Sequence, residues 1–132
     1  MNRSKLREQV FLLLFQIDFF PKDDMNGQVD IYIDELADSM SSQQQLLIAS
    51  RFKNISARIE EIDRLINEKT SGWTTDRMGK VELTVLRLSV FEIMYDDNVP
   101  SAVAINEAVE LSKKYGQEES ASFVNGVLAH FV

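Results

Sequence analysis

The amino-acid sequence predicts an all-α protein. Its few helix-breaking residues, 5 Gly and 2 Pro among 132, fall between long stretches in which apolar side chains recur at helical spacing. No stretch shows the sustained alternation of apolar and polar residues that is typical of a half-buried strand. The length is that of one domain. Within it we predict two helical halves, residues 1–70 and 73–132, each with three helices.

The first helix is predicted over residues 4–20. It carries one apolar stripe, formed by Leu6, Val10, Leu13 and Ile17. Much of the remaining circumference is also apolar, through Phe11, Leu12, Phe15 and Phe19. A helix that is apolar on most sides is expected in the middle of its bundle. It is too short to span a membrane, which takes about 20 apolar residues.

The rest of the first half is predicted to hold a short acidic helix and then a long helix. Residues 23–50 carry six acidic side chains and no basic one. The acidic helix is expected to use Ile31, Ile33, Leu36, Ala37 and Met40. Ser42 followed by Gln45 has the form of a capping box, so the long helix is expected to begin there. Its apolar seam has spacings of four and three: Ile48, Phe52, Ile55, Ile59, Ile62 and Ile66.

The second half is predicted to contain helices over residues 80–96, 101–115 and 119–131. Pro100 can start the second of these, and Gly116 is expected to end it in the left-handed conformation. The last helix is expected to bury the stripe Val124, Val127, Leu128 and Phe131. Phe123 lies beside this stripe, so its ring is expected either at the rim of the core or inside it.

Charge and composition exclude several classes of function. The 14 basic and 21 acidic residues give a net charge of −7, which opposes nucleic-acid binding by the whole surface and leaves only a local basic patch. The absence of cysteine excludes disulfides, thiolate metal sites and a cysteine nucleophile, and it favours a reducing, cytoplasmic location. The single histidine, His130, belongs to no catalytic or metal-binding motif. We therefore expect neither an enzyme nor a bound cofactor or metal.

One local basic patch lies at the start of the chain. Arg3, Lys5 and Arg7 place three cations within seven residues of an otherwise acidic protein. Cations at a helix N-terminus oppose the helix dipole slightly, so helix stability alone does not account for them. Three phosphate contacts give only weak binding. The patch is either a solvated helix end or part of an RNA site that also needs stacked bases and a second protein.

Residues 73–128 carry a long series of motifs. In chain order these are Trp73 with Arg77, Val81-Glu82, Val85-Leu86-Arg87-Leu88, Phe91-Glu92, Val99-Pro100, VAINEAVEL at 103–111, Lys114-Tyr115-Gly116 and FVNGVL at 123–128. With these motifs the sequence resembles the NusB family of bacterial transcription antitermination factors. The first half is similar more loosely, through Arg7-Glu8, Phe15 and Gln16, so the resemblance covers essentially the whole chain.

The resemblance implies a fold of two packed antiparallel three-helix bundles, which agrees with the periodicity. It also implies binding to the boxA element of nascent RNA together with NusE, a small-subunit ribosomal protein, so that RNA polymerase reads through ribosomal RNA operons. Carried over to this sequence, the RNA-binding positions are Arg3, Lys5, Arg7, Glu119 and Phe123, and the partner-binding position is Glu82. The N-terminal segment of this sequence has fewer basic residues than the arginine-rich segment typical of the family.

Phe123 and Glu82 suit these implied roles physically. Single-stranded RNA is held by stacking on aromatic rings, which Phe123 would supply. Glu82 is expected on the solvent side, where a carboxylate suits a basic ribosomal protein. Asn106 and Asn125 are instead expected to bond across a helix seam or to a neighbouring helix end. Trp73 is expected to anchor the junction of the two halves rather than to stack on a base.

Two alternatives stay open. The first is a pure protein-interaction or dimerisation module, which would bury the apolar first helix in a homodimer and would not touch RNA. The second alternative is an enzyme, because a NusB-like domain also forms the N-terminal part of certain ribosomal RNA cytosine methyltransferases. The 132 residues contain no glycine-rich nucleotide-binding unit, so we expect this sequence not to be such an enzyme.

Overall fold

The computed structural model describes residues 2–132, and all the regular secondary structure in this part of the chain is helical, with no β-strand. The predicted all-α class is therefore confirmed. The helices are α1 (Arg3–Phe15), α2 (Met25–Leu36), α3 (Ser42–Ser56), α4 (Ile59–Lys69), α5 (Lys80–Tyr95), α6 (Ser101–Tyr115) and α7 (Ser120–Leu128). Short 3₁₀ turns lie at Lys22–Asp24, Thr75–Arg77 and Ala129–Phe131. Among the helices of residues 2–132, none is both long enough and apolar enough to cross a bilayer.

The chain separates into two compact units, one ending at Ser56 and the other formed by Ala57–Val132. In the first unit, α3 contacts both α1 and α2. In the second unit, α5 contacts α4, α6 and α7, and α6 also packs on α7.

The core of the first unit is formed by the apolar faces of α1 and α3. The buried side chains of these two helices are Val10, Phe11, Leu13, Leu14, Ile48, Phe52 and Ile55. Helix α1 ends at Phe15, five residues before the predicted end. Backbone bonds from Gln16 to Leu13 (3.1 Å) and from Ile17 to Leu14 (3.0 Å) tighten the last turn. Pro21 disfavours the helical conformation at the preceding residue, Phe20, so α1 does not continue to the proline.

The predicted acidic helix and long helix differ from the structure in their detail. Helix α2 buries Met25 and Val29, whereas Ile31 is 54% exposed. The capping box is formed by Ser41 and Gln44, each side chain bonding the other's backbone N–H at 3.1 Å, one residue before the predicted pair.

The long helix predicted from residue 42 is wrong, because the structure has two helices, α3 and α4, that belong to different units. At the break, the Ser56 hydroxyl donates to the Phe52 carbonyl at 2.6 Å, a local bond that competes with the helical ladder. On the exposed side of α4, Arg64 pairs with Glu68 at 2.7 Å.

Helix α5 is the centre of the second unit, and its residues 83–92 are all buried. This run includes the charged side chain of Arg87, whose guanidinium makes two hydrogen bonds of 2.9 and 2.8 Å to the Asp63 carboxylate on α4. A bidentate pair of this kind satisfies the buried charge of Arg87 and fixes α4 against α5.

Gly116 sets the connection between α6 and α7. Its φ of −97° and ψ of −166° are extended, so the predicted left-handed stop is wrong. Glycine is required for space instead. A Cβ at Gly116 would lie 2.6 Å from the Ser120 hydroxyl oxygen and 2.7 Å from the Ser112 carbonyl oxygen. This close approach brings the start of α7 against the end of α6.

Candidate nucleic-acid interface

An aromatic pair marks the surface of the second unit. Phe123, on α7, is half-buried, and its ring lies edge-on to the Trp73 indole, with 6.1 Å between centroids and 66° between planes. Trp73 is 51% exposed, which does not fit the anchoring role that we expected for it. The Arg77 guanidinium lies 5.6 Å from the centroid of the indole. The ring is thus held from two sides while much of its surface remains open to a ligand.

An acidic pocket of about 220 Å³ lies on one side of this pair. It is lined by Trp73, Met78, Gly79, Glu82, Glu119, Ser120 and Phe123. The structure therefore brings together three predicted site residues: Glu82, Glu119 and Phe123. The lining contains two carboxylates and no basic side chain, so the pocket suits a cation or a hydrogen-bond donor better than a phosphate.

Glu82 is held by the start of α7 and is not simply a solvent-side charge as we expected. It is half-buried, and its Oε1 accepts a hydrogen bond of 2.8 Å from the Ser120 hydroxyl. The Ser120 oxygen in turn accepts a 2.9 Å bond from the backbone N–H of Gln117. Ser120 is only 1% exposed. Sequence reasoning missed it, because its partner lies 38 residues away and no local spacing connects the two.

A basic pocket of about 320 Å³ lies on the other side of the aromatic pair. It is lined by Lys69, Thr70, Ser71, Trp73, Ser122, Phe123, Gly126, Val127 and His130. This lining contains two basic residues and no carboxylate. Sequence reasoning gave no role to Lys69 or His130. The available signal was the spacing of four that places Ser122 and Gly126 on one side of α7, with His130 four positions further on in the following 3₁₀ turn.

The predicted cations Arg3, Lys5 and Arg7 lie at the start of α1, in the first unit. Residues two apart on a helix do not share a face, whereas residues four apart do. Arg3 and Arg7 are therefore neighbours, and Lys5 projects elsewhere, with its Nζ 3.7 Å from Glu8 Oε1. Helix geometry divides the three cations into a pair and a single lysine.

Two further expectations concern polar side chains. Asn106 and Asn125 are both exposed, so the expected bonds across a buried helix seam are wrong. Each asparagine instead occupies the polar face of its helix. Within residues 2–132, no cluster of three or more His, Asp or Glu side chains is placed to hold a metal ion.

Comparisons with known proteins agree on one family. A family model described as the NusB family matches residues 4–132. The transcription antitermination protein NusB of Agathobacter rectalis is 47% identical over 131 residues, covering 99% of this chain and 99% of that protein. A structure of T. maritima NusB has a TM-score of 0.88 and 30% identity, covering 99% of this chain and 90% of that chain.

One similar structure is a complex. It is the crystal structure of the antitermination factors NusB and NusE with dsRNA. A chain of that complex has a TM-score of 0.79 and 26% identity, covering 98% of this chain and 94% of that one.

Proposed function

The chain belongs to the NusB family, and from this premise we propose that it is a transcription antitermination factor that binds boxA RNA jointly with NusE. In this role it carries no catalytic activity. It helps RNA polymerase to read through ribosomal RNA operons, and it reaches the polymerase indirectly, as part of the RNA and NusE assembly. The observation that carries the proposal is the pair of exposed Trp73 and half-buried Phe123 between an acidic and a basic pocket.

The aromatic pair supports RNA binding. Bases of single-stranded RNA stack on exposed aromatic rings, and each stacked base contributes about 1 to 3 kcal/mol. Phe123 and Trp73 supply two such rings on one surface. Glu119, in the adjacent acidic pocket, can accept a hydrogen bond from an exocyclic amine of a base.

The acidic pocket supports a basic protein partner. Glu82 and Glu119 both line it, in a chain with a net charge of −7. Complementary charges steer association and fix its register. A ribosomal protein, which must bind RNA, is a cationic partner of the required kind.

Charge also accounts for joint binding. The acidic chain repels RNA at long range, and the cations Arg3, Lys5 and Arg7 supply only a weak, salt-sensitive attraction. A cationic partner on the acidic surface would reduce the repulsion and add phosphate contacts. The pair is therefore expected to bind RNA more tightly than this chain alone.

The experiment compares Phe123→Ala with Phe19→Ala in the binding of labelled boxA RNA to the complex with NusE. Phe19 is 58% exposed and lies outside α7, so it is a matched control. Loss of one stacked base should weaken binding by about tenfold in the Phe123 variant only. Equal affinities in the wild type and both variants would contradict the proposed site.

A second candidate function is a protein-interaction or dimerisation module without RNA binding. Exposed apolar side chains in the first unit favour it, namely Ile31 (54%), Leu46 (71%) and Leu47 (52%). Sedimentation equilibrium would reveal a homodimer, and Leu46→Ser with Leu47→Ser would dissociate it. A homodimer that fails to bind boxA RNA with NusE present would favour this function over the first.

A further inference from the structure

We propose that the basic pocket holds one nucleotide of the bound RNA, with its base against the Trp73 indole and its phosphate beside Lys69 and His130. This inference rests on the proposed RNA-binding function and names a subsite within it. The positions that the family resemblance supplied for RNA include Phe123 but neither Trp73, Lys69 nor His130.

The charge of the pocket favours a phosphate. Lys69 and His130 are its only ionisable lining residues, although the chain as a whole carries a net charge of −7. The hydroxyls of Thr70, Ser71 and Ser122 add hydrogen-bonding groups. The acidic pocket, on the other side of the same aromatic pair, has the opposite charge. A strand that crosses the pair would therefore place its phosphate on the Lys69 side.

The indole of Trp73 is held in place without being covered. The Phe123 ring meets it edge-on and the Arg77 guanidinium lies 5.6 Å from its centroid. Its backbone is fixed as well, because the Thr70 hydroxyl bonds the Trp73 carbonyl oxygen, and Gly72 makes the intervening turn with φ +80°. A ring that is already ordered loses little entropy when a base stacks on it.

Gly126 keeps the pocket open. It lies inside the nine-residue helix α7, where glycine is less favourable than alanine by about 1 kcal/mol. Its φ is not positive, and a Cβ built on it would meet no atom within 4 Å. Neither backbone conformation nor close packing therefore requires glycine here. The absence of a side chain leaves room in the pocket, which a nucleotide can use.

The size of the pocket agrees with one nucleotide. Its volume of about 320 Å³ is at the lower end of the range for small-molecule sites. Aromatic, basic and hydroxyl groups meet in this space, as the base, phosphate and ribose of one nucleotide require. A protein side chain of the partner is the competing occupant, and the experiment distinguishes the two.

Trp73 is the single tryptophan of the chain and lines both pockets, so its fluorescence reports on ligands at the aromatic pair. Labelled boxA RNA is titrated into the complex with NusE, and RNA anisotropy and tryptophan fluorescence are both recorded. A complex made with Trp73→Phe supplies the background. We expect RNA to quench Trp73 with the same midpoint as the anisotropy change, and Trp73→Ala to weaken binding by about tenfold.

The key variant is Gly126→Leu, which fills the pocket while improving helix propensity. Gly27→Leu is its matched control, because Gly27 is also a helical glycine with no atom within 4 Å of a built Cβ. We expect Gly126→Leu to weaken RNA binding by about tenfold without lowering the melting temperature, and Gly27→Leu to leave RNA binding unchanged.

The contribution of Lys69 is tested by salt dependence. Lys69→Gln is compared with Lys113→Gln, an exposed lysine of the same unit that pairs with Glu110 at 3.8 Å. Removal of one phosphate contact lowers the slope of log affinity against log salt by about 0.7 for a single strand. We expect that decrease for Lys69→Gln and none for Lys113→Gln.

The outcomes separate this inference from the function on which it rests. RNA binding without quenching of Trp73, together with wild-type affinity of Gly126→Leu, would overturn the nucleotide pocket and leave the proposed function intact. A loss of affinity for NusE alone in Gly126→Leu would also overturn it, since a protein side chain would then fill the pocket. No RNA binding to the complex at all would overturn the proposed function itself.

Discussion

The Ser120 hydroxyl donates a 2.8 Å hydrogen bond to the carboxylate of Glu82, across 38 residues of sequence. This bond joins the first turn of α5 to the first turn of α7. Glu82 is the candidate contact for NusE, while Glu119 and Phe123, the candidate RNA contacts, lie immediately before Ser120 and one turn after it. The two candidate surfaces therefore meet at one buried hydroxyl.

Ser120→Ala should lower the free energy of unfolding by about 1 to 3 kcal/mol, because it leaves the Glu82 carboxylate and the Gln117 N–H without their buried partner. Urea denaturation measures this change. Ser122→Ala is the control, since Ser122 is exposed on the same helix. Equal losses in the two variants would show that the Ser120 bond does not stabilise the unit.

Asp63→Ala should lower the free energy of unfolding by about 3 kcal/mol, because the buried Arg87 guanidinium loses its bidentate partner. Arg64→Ala, which removes the exposed pair with Glu68, should cost less than about 1 kcal/mol. Chemical denaturation of both variants compares the two pairs. A smaller loss for Asp63→Ala than for Arg64→Ala would contradict the structural role of the buried pair.

Tyr95 should ionise at a higher pH than an ordinary tyrosine. Burial is the main cause of its raised pKa and Glu61 adds to the rise, while the Arg58 guanidinium, 4.4 Å from the ring centroid, opposes it. The folded state thus holds the phenolic proton more tightly than the unfolded chain. The resulting stabilisation is fully present below about pH 10 and is lost as pH rises through the folded pKa.

The titration of Tyr95 is measured as the difference in tyrosinate absorbance between the wild type and Tyr95→Phe. Its midpoint should lie above about pH 10. A difference signal that titrates at or below that pH would refute the environment described for this ring.

Charge reversal at Arg3 and Arg7 together should weaken RNA binding more than twice as much, in free energy, as reversal at Lys5. The two arginines share a helix face, whereas Lys5 lies on another and is close to Glu8. The measurement is the affinity of the complex with NusE for boxA RNA at two salt concentrations. Equal effects per charge would indicate that the three cations act through long-range electrostatic attraction. The shared helix face of Arg3 and Arg7 would then make no specific contact with RNA.

Local sequence signals, chiefly proline and glycine, predicted the helix limits of the second half well. The limits of α6, residues 101–115, follow from Pro100 before it and Gly116 after it. Helix α5 ends at Tyr95, one residue before its predicted end, and Pro100 disfavours the helical conformation at Val99 beyond it. By contrast, the break after Ser56 carries no proline or glycine, and the continuous seam across it predicted one helix where two exist.

The candidate site was predicted only in part, because its contacts join distant residues. Family resemblance supplied Glu82, Glu119 and Phe123, which share one pocket. Trp73 was expected to be structural because large aromatic residues usually are, and only the structure reveals its exposed ring. Lys69 and His130 line one pocket because of how α4 and the segment after α7 are placed around α5, which no local pattern specifies.

The measurement that tests the central claim most directly is the affinity for labelled boxA RNA at fixed salt, with NusE absent and then present. An acidic chain with three N-terminal cations should bind RNA at least tenfold more weakly alone than in the pair. If the chain alone binds the RNA as tightly as the pair does, joint recognition is contradicted.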